Sequence, residues 1–175
     1  VTVRDGEKVY AFGHPFLSLG MTNLPMSVSS VVTVIPSVNN SFVMAVPGAM
    51  VGSMTQDRAT GVFGKIGQTP AMVPVKVNMQ TSRNQNASYN FEIARDNFLT
   101  PILLSITTFN SILSNEKSIG DGTILVKGKI NIAGQEPILI DRRFSAGNAP
   151  QLAAGSAVLP MSLLLRSGFE NIDVK

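Results

Sequence analysis

Short runs in which apolar and polar residues alternate constrain this chain more than any other feature. They recur over residues 1–3, 9–11, 28–35, 73–79, 89–93, 124–132 and 138–140. Such runs, rich in Val and Ile and closed by Gly, Pro and Asn, predict half-buried strands, so most of the chain is expected to be antiparallel β. Asp5-Gly6 stands between two of them as a candidate two-residue turn, which predicts a hairpin over residues 1–12. The fifteen glycines and ten prolines fall mainly at the joints, which suits a closed barrel or a sandwich of short, sharply turned strands.

Two stretches depart from alternation and place one or two helices in the C-terminal half. Leu99, Ile102, Leu103, Ile106, Phe109, Ile112 and Leu113 follow the three-and-four spacing of one helix face. Thr100 suits the cap of that helix and Pro101 its first turn, so a helix is expected over residues 101–114. Residues 150–165 are apolar and end near Gly168, with Pro160 predicting a kink or two short pieces. Val1 reads as the interior of a strand and residues 169–174 as a strand opening a new unit. The expectation is one domain over residues 1–168, a following element from 169 to 175, and a longer parent protein.

Composition removes whole classes of function. Hydrophobic residues are 44% and charged residues 14% of the 175, which excludes a disordered chain. The net charge of +3 is spread from Arg4 to Lys175 without the basic cluster that a phosphate backbone selects, so nucleic acid is not an expected partner. There is no cysteine, hence no disulfide, thiol nucleophile or thiolate zinc site. No apolar run approaches the roughly 20 residues of a membrane-spanning helix, and no metal or cofactor is expected. Gly-Lys is followed by Ile at both Lys65 and Lys129, so a phosphate-binding glycine loop is excluded. Aromatic residues are 6% with no Trp, a poor stock for stacking platforms, and the eight methionines read as core filler.

Few residues remain that bear chemistry. His14, the single histidine, lies in the segment Ala-Phe-Gly-His-Pro-Phe. It reads either as a hydrogen-bonded turn residue or as a general base, since an unperturbed imidazole titrates near working pH. Asp57, in the glycine-rich run of residues 51–67, reads first as half of an ion pair with Arg58 or as a loop brace. Its alternative role is to orient His14. Ser53 follows Gly52 and is a candidate nucleophile, as are Ser145 and Ser156, though each equally suits a turn or a helix end. Gly-x-Ser-x-Gly is absent, so nothing supports an α/β-hydrolase. Glu92, Asp96, Asp121 and Asp141 are scattered without the spacing of a glycosidase pair.

Taken in order, the hairpin, Val-Tyr-Ala-Phe-Gly-His-Pro-Phe (residues 9–16), the run of residues 51–67, Pro-Val-Lys-Val-Asn-Met (74–79) and Tyr-Asn-Phe-Glu-Ile-Ala-Arg-Asp (89–96) resemble the SpoIVB peptidases, the stage IV sporulation protein B family of serine peptidases. The likeness covers roughly the first hundred residues. It is closer still to exported bacterial proteins that carry a divergent copy with Gly-His-Pro-Phe and Gln-Asp-Arg segments. The resemblance implies a mainly β, antiparallel, trypsin-like double β-barrel, a histidine base at His14, a polypeptide substrate or partner, and a place outside the cytoplasm. The family's nucleophile stands in a Ser-Gly-Ser-Pro segment. This chain has none, and residues 97–113 read there as the helix instead. Three functions follow as expectations: a serine peptidase domain, a non-catalytic β domain that binds peptide along a strand edge or supports neighbouring modules, and a small-ligand barrel.

Overall fold

Gly6 holds φ at 57°, a value at which a side chain is strained. In the computed structural model, which describes residues 3–11, 15–39, 41–115, 121–168 and 173–174, this glycine turns β1 (Val3–Asp5) back onto β2 (Lys8–Ala11). Asp5 pairs with Lys8, so the two central turn residues are Gly6 and Glu7 rather than Asp5 and Gly6. Positive φ at the first of them alone is the type II′ requirement. The expected hairpin is present; the turn sits one residue later.

Antiparallel β predominates, and the chain divides into two compact units, Val1–Ala71 and Met72–Lys175. In the first unit, β1, β2, β3 (Gly20–Ile35), β4 (Phe42–Arg58) and β5 (Gly61–Ile66) form one sheet in the order β1-β2-β5-β4-β3. Its edges are β1 and β3, and among the described residues no pairing closes it into a barrel. Inserting β5 between β2 and β4 aligns Val9 with Gly64 and Tyr10 with Phe63, whose rings stand 5.1 Å apart.

Strands β3 and β4 have 16 and 17 residues, far beyond the usual five or six. At about 3.3 Å per residue they reach roughly 50 Å. β5 accompanies β4 only from Arg58 back to Gly52. Beyond that point residues 27–35 and 42–50 continue as a two-stranded arm, with Val31 and Val32 each 64% exposed. The methionines divide accordingly: Met161 is buried, but Met44 and Met50 on the arm are exposed, which corrects the expectation of core filler.

The second unit pairs β6 (Met72–Gln80) with β7 (Asn86–Ala94) and β8 (Gly122–Ile130) with β9 (Ile138–Ala146), each as a separate antiparallel hairpin. Three helices complete it: α1 (Leu99–Asn115), α2 (Ala149–Gly155) and α3 (Val158–Leu165). Val73, Ile93, Leu104, Ile130, Ile140 and Met161 form the core. Val174 belongs to the same core and bridges Ile132.

Asp96, not Thr100, caps α1, its Oδ1 accepting from the amides of Phe98 and Leu99, each at 2.8 Å. Thr100 serves from inside: its buried Oγ1 accepts from the Asp96 amide and donates to the Ala94 carbonyl. The buried side of α1 carries Leu104, Ser111 and Ile112, whereas Ile102, Ile106 and Leu113 point to solvent. The predicted single apolar face is thus divided between core and surface. Residues 149–165 do form two pieces, but the break falls at Ser156-Ala157; Pro160 is accommodated in the first turn of α3. No helix among the described residues is long and apolar enough to cross a membrane.

Candidate functional site

Two glycines decide how β4 and β5 approach. A Cβ on Gly52 would run into the Lys65 carbonyl oxygen and the Ile66 backbone; one on Gly64 would meet the Met54 sulfur and the Ser53 carbonyl. Only hydrogen fits where two backbones and two methionine side chains converge. This close contact fixes the register that carries Ser53 and Asp57, with a bulge between Met54 and Gln56.

Asp57 lies near the end of β4 and is 3% exposed. Its Oδ1 accepts from the Phe16 amide at 2.7 Å, and its Oδ2 accepts from Leu17 at 2.7 Å and Leu19 at 3.1 Å. Ser18 holds φ at 57°, which helps turn successive amides toward one anion. Burial pushes the carboxyl up, but hydrogen bonds from the amides of Leu17, Leu19, Phe16 and Ser18 outweigh it and hold its pKa below the ordinary 3.8. Asp57 therefore braces the loop that follows His14. Its neighbour Arg58 turns away and donates to Gln56 at 3.1 Å.

Ser53 is fully buried, and its Oγ donates to Asn23 Oδ1 at 2.7 Å, with the Leu24 carbonyl at 3.2 Å. The hydroxyl proton is held inside the sheet, away from solvent. His14 lies outside the described residues. The structure thus places Ser53 and Asp57 on one strand, each bound to a different partner: Asn23 on β3, and the loop of residues 16–19. Ser145 shares a hydrogen bond with Thr123, and Ser156 donates to the Ala153 carbonyl at the end of α2. Ser156 thus takes the helix-end role, whereas Ser145 sits within β9 in a cross-strand pair with Thr123 rather than in a turn. Among the described residues no group of three or more His, Asp or Glu is placed to hold a metal ion.

Sequence reasoning missed the arm and Asn23. A signal for the arm was there: residues 9–56 contain no Asp, Glu, Lys or Arg. Among the described residues the β4 part of the arm has an open lane on the side of β5, which stops opposite Gly52. From Phe42 to Val46 β4 is free of proline, and the bulge there, between Val31 and Thr33, lies in the facing strand β3. A second apolar feature, in the other unit, is an open groove of about 540 Å³ between α1 and α3, lined by Ile102, Ile106, Val158 and Leu159. Comparison with protein-family models, with curated proteins and with solved structures finds no match to the chain.

Proposed function

We propose that this chain is a peptidase-like β domain of an exported protein that holds polypeptide rather than cleaving it. An extended segment would lie beside residues 42–46 of β4, in the lane beyond the end of β5, and continue the sheet by strand addition. One observation carries this reading: among the described residues no strand pairs with the outer half of β4 on the β5 side, although β4 stays an extended strand there. Main-chain hydrogen bonds would supply the affinity, and the alternate side chains of the ligand would meet valines and methionine rather than charges.

The engaged states of Ser53 and Asp57 support binding over catalysis. A nucleophile needs an accessible hydroxyl with its proton directed at a base, whereas the Ser53 proton goes to Asn23. The trypsin-like double barrel remains part of this proposal as the parent architecture, with the five-stranded sheet derived from one barrel. A fluorophosphonate probe tests the chemistry on wild-type protein and on His14→Ala. The expected result is no covalent labelling of either. Labelling of the wild type that disappears in His14→Ala would establish a serine hydrolase and overturn the proposal.

A further inference from the structure

Gly52 and Gly64 are buried, and methionine ends cover them. Met26, from β3, lies across both: its Cε stands 2.8 Å from the place a Cβ would take on Gly52, and its Sδ 3.0 Å from the corresponding place on Gly64. Met54, from β4, brings its own Sδ to 2.8 Å of that second point. Register sets this convergence, since Met26 pairs with Gly52 and Met54 with Gly64. Both side chains are half-buried, so solvent reaches them, whereas Met21, Met44 and Met50 are exposed. A thioether suits bare backbone because it is apolar and polarizable. A sulfoxide does not, since its oxygen is a strong acceptor and the backbone beneath it belongs to the β4–β5 ladder.

We propose that Met26 and Met54 form an oxidation-sensitive clasp over the β4–β5 contact, opened by hydrogen peroxide and closed again by reduction. In the opening step a sulfur lone pair attacks one peroxide oxygen. The S–O bond forms as the O–O bond breaks, and the second oxygen takes the proton of the first and leaves as water. Sulfur is oxidised by two electrons and the peroxide is reduced by two; the product is a polar, chiral sulfoxide. Turned inward, the new oxygen meets the Gly64 backbone and the Ser53 carbonyl oxygen, which lies 3.1 Å from the same point and repels it. Turned outward, it replaces the apolar cover of the two glycines with a hydrated group. In both cases β5 loses part of what holds it against β4. Oxidation of Met21, Met44 or Met50 removes no such cover, because those side chains already face water.

The test treats the whole chain with hydrogen peroxide, maps sulfoxides by peptide mass spectrometry and follows amide exchange along residues 61–66 of β5. Sulfoxide at Met26 and Met54 is expected to speed that exchange about tenfold, in keeping with the lost cover of one half-buried methionine. Methionine sulfoxide reductases of both stereospecificities are expected to restore the original rate. Met26→Leu with Met54→Leu keeps an apolar cover of similar volume without an oxidisable sulfur, so its β5 exchange is expected to stay constant under the same treatment. Should that variant fail to fold, Met21→Leu with Met44→Leu and Met50→Leu supplies the comparison, and the faster exchange is expected to persist in it. Sulfoxide confined to Met21, Met44 and Met50 in wild type overturns the proposal. So does unchanged β5 exchange with both Met26 and Met54 oxidised, an equal rise in the Met26→Leu, Met54→Leu variant, a rise that the reductases leave in place, or its disappearance when only the three exposed methionines are replaced.

Discussion

Replacing Gly52 with Ala is expected to destabilise the first unit by about 3 kcal/mol, on the order of 10 °C or more in Tm. The added methyl meets the Lys65 carbonyl oxygen and the Ile66 backbone, which cannot rotate aside, as well as the movable end of Met26. Relief would require β4 and β5 to separate where they are hydrogen-bonded, which would also displace Ser53 and Asp57. Gly128→Ala supplies the control. Nothing lies within 4 Å of a Cβ at Gly128 in β8, so that variant is expected to stay within about 1 kcal/mol of wild type. Thermal unfolding of both variants by circular dichroism checks the pair, and equal Tm values would contradict the close-contact account.

Asp57→Asn is expected to loosen the loop after His14 at neutral pH. The amide keeps the shape but replaces one acceptor oxygen with an NH₂ group facing backbone donors, and it removes the charge those donors stabilise. The sign of the pH dependence follows from the depressed pKa. Asp57 contributes stability at pH values above 3.8, and that contribution is lost as the pH falls below 3.8 through the folded-state value. Amide exchange at Phe16, Leu17 and Leu19 is therefore expected to be slow at pH 7 in wild type. It should be fast in Asp57→Asn, relative to each residue's intrinsic rate. Denaturant titration should show the variant losing less stability than wild type between pH 5 and pH 2. Unchanged protection of the three amides would refute the brace.

Local features were legible because local physics sets them. The hairpin of β1 and β2, the alternation of β6 and β7, and the helix after Asp96 follow from turn chemistry and periodicity within a few residues. Features decided by distant partners were not. The division at Ala71/Met72 depends on β5 inserting between β2 and β4, a pairing that no window of sequence displays. Leu104 rather than Ile106 faces the core because α1 packs on β6, β7, α2 and α3, a choice the helical spacing leaves open. The role of Asp57 was hidden for another reason: its partners are backbone amides, which every residue type but proline carries. Alternation in β3 and β4 reads the same whether a face meets a core or water. The absence of charge from residue 9 to residue 56 was the informative sign.

The domain as a whole is read as a holder of extended polypeptide, with β4 as the receiving strand, and hydrogen–deuterium exchange tests that reading where the bond would form. Wild-type protein is measured alone and with a synthetic peptide of about eight alternating Val and Thr residues, long enough for one added strand. Added protection is predicted at alternate amides of residues 42–46, those directed away from β3, with no change along β8 and β9. Protection that leaves residues 42–46 untouched at saturating peptide, or that appears equally on every strand, would contradict the account.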